Sequence, residues 1–82
     1  MTLVTLYGKP GCHLCDDARA VVERVRTQRP FELSEVDVSL DPSLYREYGE
    51  RIPVLALDGE ELFEFHVEER VLLERLDRVD RS

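Results

Sequence analysis

The spacing of apolar positions changes several times along the chain, and each change marks an element. "TLVTLY" (2–7) is an unbroken apolar, β-branched run that stops at Gly8, the pattern of a buried strand. From Cys12 to about Arg29 the period becomes helical. Leu14, Ala18, Val21, Val22 and Val25 share one face, while Arg19, Glu23 and Arg26 lie on the other. Asp16 and Asp17 sit in the first turn, where acids favour the helix dipole, and Pro30 closes the helix. "FELSEVDVS" (31–39) alternates with a slip at Ser34–Glu35, which predicts a second strand with a bulge. "DPSLYREYG" (41–49) predicts a short helix, with Asp41 as N-cap, Pro42 at the first position and Gly49 past the end. "IPVLALDGEELFEF" (52–65) reads as two strands turning at Asp58–Gly59. From Val67 to Val79 the helical period returns, with Val67, Val71, Leu72 and Leu76 on one face. Glu74→Arg78 and Asp77→Arg81 lie four apart in the favourable order on its outer side.

The predicted order is β-α-β-α-β-β-α, a four-stranded mixed sheet flanked by helices. The first strand, helix and second strand form a right-handed parallel unit. The first helix then starts at the C-terminal end of a parallel strand, where ligands and chemistry gather in open α/β sheets.

Length and charge narrow the class. The chain has 82 residues, enough for a single domain spanning 1–82 with a modest core. Eleven basic and eighteen acidic residues give a net charge of −7, a surface that repels nucleic acid and anionic membranes. No apolar run is long enough to span a bilayer, and "MTLVTLYGKP" lacks the pattern of a secretory leader. The expected setting is the cytoplasm, where thiols stay reduced, and the expected state is a monomer.

In such a setting the cysteines become the candidate chemistry. "GKPGCHLCDDA" (8–18) holds both cysteines of the chain, Cys12 and Cys15, three apart at the start of a helix. Three readings exist: a redox pair, half a metal site, or two inert core residues. Position supports the redox pair. Unpaired N–H groups and the positive end of the dipole face Cys12 and favour its thiolate. Lys9, the one lysine of the chain, and His13 add positive charge, while Asp16 and Asp17 oppose it. One turn of helix puts Cys15 behind Cys12, so that Cys12 can attack a disulfide and Cys15 can resolve the mixed disulfide. A metal site is the weaker reading, because His13 lies between the cysteines and cannot readily close a tetrahedron with them. Pro53, in "RIPVL", opens a strand or follows a cis peptide that would present the Ile52 backbone to an extended peptide. The base rate of X-Pro bonds favours trans. Arg51 reads as an exposed residue, with contact to a substrate carboxylate as the alternative. His66 reads as a surface residue.

"LYGKPGCHLCDDA" followed by "RIPVL" at 51–55 resembles the glutaredoxins, and more closely the small bacterial glutaredoxin-like proteins of the thioredoxin superfamily. The element order fits over the whole chain. The resemblance implies a thioredoxin/glutaredoxin-like fold and a thiol–disulfide oxidoreductase with a redox-active Cys12–Cys15 disulfide and no other cofactor. It implies Cys12 as nucleophile, Cys15 as resolving thiol, Lys9 as partner of a thiolate or carboxylate, and Pro53 as a cis-proline. The implied partners are a disulfide-containing protein or a small thiol, with thioredoxin reductase, glutathione or another thiol as reductant. A glutaredoxin-like module that binds a metal or an iron–sulfur cluster is the alternative. Three positions depart from the usual glutaredoxin pattern. His13–Leu14 replace Pro-Tyr between the cysteines, Arg51–Ile52 replace Thr-Val before the proline, and Phe65–His66–Val67 replace a Gly-Gly turn that holds glutathione. These departures fall on the glutathione side and leave its use open.

Overall fold

The computed structural model describes residues 2–81, with side chains through residue 79. In chain order the elements are β1 (Leu3–Gly8), α1 (His13–Gln28), β2 (Glu32–Asp37), a single 3-10 turn (Val38–Leu40), α2 (Pro42–Tyr48), β3 (Val54–Leu57), β4 (Glu60–Glu64) and α3 (Glu69–Arg81). The sheet runs β2-β1-β3-β4. β1 and β2 are parallel, which requires the crossover that α1 supplies. β3 lies antiparallel to β1, and β4 antiparallel to β3. Every residue of the central strand β3 is buried, while β1 buries Val4 and Leu6 on one face and leaves Thr5 and Tyr7 half-buried on the other.

Two predicted details change. β2 holds an unbroken register from Leu3↔Glu32 to Gly8↔Asp37, and the sheet's irregularity lies instead in the hairpin, between Leu55 and Ala56. The apparent slip in "FELSEVDVS" comes from a strand with apolar residues on both faces. Leu33 packs on the large core, and Val36, three positions on, points to the opposite side. The strand ends at Asp37, whose carboxylate accepts the Ser39 N–H at 2.9 Å and starts the 3-10 turn that buries Val38. On α1 the buried face is Cys15, Ala18, Val22 and Val25, while Leu14, predicted on that face, is exposed.

The caps and turns follow their residues. Asp41 accepts the Ser43 N–H at 2.8 Å and caps α2, with Pro42 at its first position. Gly49 caps that helix, donating its N–H to the Tyr45 carbonyl at 2.8 Å, and a Cβ there would crowd that oxygen. Asp58 and Gly59 both take positive φ, 49° and 90°, as a two-residue hairpin turn demands. Asp58 also ties the hairpin to β1, accepting the Leu3 N–H at 2.9 Å.

α1 and α3 pack together over one side of the sheet. Val4, Leu6, Val22, Val25, Leu55 and Leu72 form the heart of this core. Arg24 meets Glu69 at 3.1 Å, and Arg29 meets Asp77 at 2.6 Å, across the two helices. Asp77 thus reaches α1, and the predicted Asp77→Arg81 pair falls on a side chain outside the described residues. A second, smaller cluster joins Cys15, Val38 and Ile52, with Tyr7, Cys12, Leu44 and Tyr48 partly buried against it.

Candidate active site

β1 delivers the loop Lys9–Cys12 to the N-terminus of α1. Cys12 is the N-cap, with extended backbone, and its sulfur accepts the Cys15 N–H at 3.3 Å. Cys12 is half-buried, and Cys15, one turn on, is 1% exposed. The structure holds the pair as a dithiol.

Burial pushes the Cys15 thiol up to about 11, and the hydrogen bond with Cys12 adds to the rise. A hydrogen bond with the Lys9 backbone and the charge of Arg19 pull the other way. Cys15 therefore keeps its proton at neutral pH. The last residue of β1 makes room for it. A Cβ at Gly8 would stand 3.0 Å from Cys15 Sγ, tighter than side chains normally approach. Gly8 reads in the sequence only as a strand stop, and this close approach leaves no signal there.

The Ile52–Pro53 peptide is cis. Ile52 packs in the cluster that holds Cys15 and Cys12, and Pro53 is buried beside it. The fold thus gathers Cys12, Cys15, Ile52 and Pro53 from α1 and the entry to β3. His13, the first residue of α1, is exposed. Lys9 Nζ stands 5.9 Å from the Tyr45 ring centroid on α2. Beside Cys15 and away from Pro53, a cleft of about 350 Å³ is lined by Lys9, Arg19, Glu35 and Asp37. Arg19 bridges Glu35 and Asp16 across its wall.

Arg51 is committed elsewhere. Its guanidinium meets Glu61 at 2.8 Å and Glu64 at 2.9 Å, and it donates to the Glu47 carbonyl from two nitrogens. Hydrogen bonds with Glu61 and Glu64 hold its proton still more tightly than usual. It also lies over Tyr48, 5.2 Å from the ring. Tyr48 in turn stacks on Tyr7 with centroids 4.1 Å apart. The residues that occupy Arg51 are ten and thirteen positions away, beyond a reading of local spacing. Tyr7 and Tyr48, missed in the sequence, floor the site. Their one signal is an aromatic at the end of β1 directly before the cysteine loop.

Phe65 also escapes a reading by pattern. It follows β4 with φ 70°, its ring is 46% exposed, and its N–H donates to the Pro53 carbonyl at 2.8 Å. Among the described residues, no three His, Cys, Asp or Glu side chains gather to hold a metal ion. None of the described helices is long and apolar enough to cross a membrane.

Comparison with known proteins places this geometry. A structural-genomics target from X. campestris superposes with a TM-score of 0.75 at 33% identity, covering 92% of this chain and 96% of that one. A protein of Nitrosomonas europaea, solved by NMR, gives a TM-score of 0.77 at 28% identity, over 90% of this chain and 89% of its own. A mutant thioredoxin from Halobacterium salinarum gives 0.69 at 26% identity, over 94% of this chain and 73% of its own. An uncharacterised protein of Mycobacterium tuberculosis is 30% identical over 74 residues, 84% of this chain and 76% of the relative. These neighbours include thioredoxins, and the fold is thioredoxin-like. The family model of the glutaredoxin-like domain (DUF836) matches residues 3–78, and the chain belongs to that family.

Proposed function

We propose that the protein is a dithiol–disulfide oxidoreductase that reduces disulfides through Cys12 and Cys15. The observation that carries this reading is the asymmetry of the pair: a half-buried Cys12 capped by an N–H, backed by a sealed, protonated Cys15. The likeness to a thioredoxin at 26% identity supports it.

Cys12 attacks as the thiolate. Its sulfur bonds to one sulfur of the substrate disulfide, and the other leaves as a thiolate that takes up a proton. Cys15 then loses its proton and attacks the Cys12 sulfur. The mixed disulfide breaks, and the second substrate thiol departs with a proton. The substrate has gained two electrons and two protons, and the protein holds a Cys12–Cys15 disulfide. A second dithiol, or two monothiols, must return the electrons. A reducing compartment such as the cytoplasm suits this direction.

Glutathione is a poor candidate for that donor. It is anionic, and so is the protein, at −7. Arg51 is already shared among its own carboxylates. The two N–H groups at the turn after β4 are also taken, by Pro53 and Glu64 carbonyls at 2.8 Å. Each lost charge-assisted hydrogen bond is worth roughly 1.5–3 kcal/mol. Losing two lowers affinity by about two to four decades, at tenfold per ~1.4 kcal/mol. The test is disulfide turnover driven in parallel by glutathione with its reductase and by thioredoxin reductase or a small dithiol. Turnover with the dithiol and little with glutathione is expected. Turnover with neither overturns the oxidoreductase reading. Brisk glutathione-dependent turnover overturns only the choice of donor.

A further inference from the structure

The turn after β4 is built against its own sequence. The His66 N–H donates to the Glu64 carbonyl at 2.8 Å, two residues back, and Phe65 between them holds φ 70°. A three-residue turn closed around a positive central φ is rare and strained. For a bulky side chain this backbone is an outlier, whereas glycine adopts it freely. Strain of this kind persists where its surroundings enforce it, and it clusters at ligand clamps. Here the Phe65 N–H also donates to the Pro53 carbonyl at 2.8 Å, which ties the turn to the entry of β3. Core packing is not the reward, because the ring is 46% exposed. The turn presents an exposed aromatic residue whose backbone is bonded to Pro53, next to Ile52 of the cysteine cluster.

The charge beside this turn is net acidic. Glu47, Glu61 and Glu64 share the single guanidinium of Arg51, and Glu64 directly precedes Phe65. Glu68, three residues beyond Phe65, and Glu50, next to Arg51, are exposed, against the exposed Arg70. An exposed aromatic residue in such a segment suits a guanidinium or ammonium, which gains from the ring and from the acids together.

We propose that Phe65 is a specificity-determining residue, and that with the surrounding carboxylates it selects protein disulfides set in extended, cationic segments over anionic small thiols. This rests on the oxidoreductase reading above. An arginine or lysine close to the substrate cysteine lies on the Phe65 ring and faces Glu64. The turn whose N–H groups are taken, and so denied to a small anionic thiol, is the one that presents Phe65 to the cationic peptide.

The test uses the full chain, pre-reduced and freed of reductant, in single-turnover reduction at low salt. The substrates are an arginine-flanked cystine peptide, a glutamate-flanked cystine peptide and the neutral bis(2-hydroxyethyl) disulfide. Each rate is divided by that of dithiothreitol on the same disulfide, which removes differences in intrinsic reactivity. The arginine peptide is expected to outpace the glutamate peptide by roughly tenfold or more, and the gap to shrink as salt screens it. Phe65→Gly, compatible with the turn, is expected to lower the rate ratio of arginine peptide to neutral disulfide about fivefold, the size of an exposed cation–π contact. Phe65→Tyr is expected to keep the ratio. Equal rates on the two peptides overturn the proposal without any variant. A Phe65→Gly protein that slows all three substrates by one factor also overturns it, since that marks a structural role alone. Failure of the wild-type protein on every disulfide overturns the oxidoreductase reading instead.

Discussion

The molecule holds two apolar clusters of unequal depth. Under α1 and α3 eleven buried residues, from Val4 to Leu76, pack on one face of the sheet. The smaller cluster holds three, Cys15, Val38 and Ile52, with partly buried Tyr7, Leu44 and Tyr48 around them. α2, which contributes Leu44 and Tyr48, buries no residue fully. The deep cluster is where folding free energy is concentrated, since stabilisation follows buried apolar area. The shallow one carries both cysteines and the residues around the cis-proline. A thin cluster costs stability, yet it leaves Cys12 partly open to solvent while sealing Cys15. Regions with few buried contacts are also those that open locally.

That contrast can be broken by a pair of truncations. Leu72, fully buried in the deep cluster, should cost about 2–5 kcal/mol on Leu72→Ala, measured by urea unfolding. In a domain of this size that is a large share of the total. Tyr48→Ala removes the stack on Tyr7 from the shallow cluster, and it should cost less, with roughly 0.5–1.5 kcal/mol from the lost ring pair. A Tyr48→Ala protein less stable than Leu72→Ala would show that the shallow cluster carries the fold.

A subtler effect concerns pH. Burial raises Cys15 from 9.0 to about 11. Between those values the unfolded chain has released this proton and the folded protein still binds it. The reduced protein is therefore expected to lose stability as pH rises from 9.0 to 11, with the contribution of this thiol complete below 9.0. Urea midpoints of the reduced wild type and of Cys15→Ser across this range check it. Equal slopes for the two would mean that Cys15 is not sealed.

The deep cluster is also the region most legible in the sequence. Its strands and helices announce themselves by period, as in "TLVTLY" and the Val67–Leu76 face, because one buried side repeats at a fixed spacing. Asp41–Pro42 and Asp58–Gly59 were legible because caps and tight turns are set by local chemistry. The cysteine pair was legible for the same reason. The shallow side was harder to read. Leu14 was expected inward and lies exposed, because the helix turns Cys15 to the sheet at that point. Arg51 reads in the sequence as an exposed charge, and the carboxylates that hold it are brought to it across the hairpin. The Phe65 turn follows no local preference, and its hydrogen bond to Pro53 joins it to a segment distant in sequence. Such features depend on what the fold brings together, and spacing along one segment cannot reveal them.

The difference between the two sulfurs is the central claim, and trapping the mixed disulfide tests it most directly. Reduced Cys15→Ser and reduced Cys12→Ser are each mixed with excess bis(2-hydroxyethyl) disulfide, and adducts are read by intact mass and mapped by peptide digestion. Cys15→Ser is expected to accumulate one adduct, on Cys12, because the resolving thiol is gone. Cys12→Ser is expected to stay unmodified over the same time, because its remaining thiol is 1% exposed and protonated at neutral pH. An adduct on Cys12→Ser that forms as fast, or none on Cys15→Ser, would contradict the assignment of Cys12 as nucleophile and Cys15 as the resolving thiol.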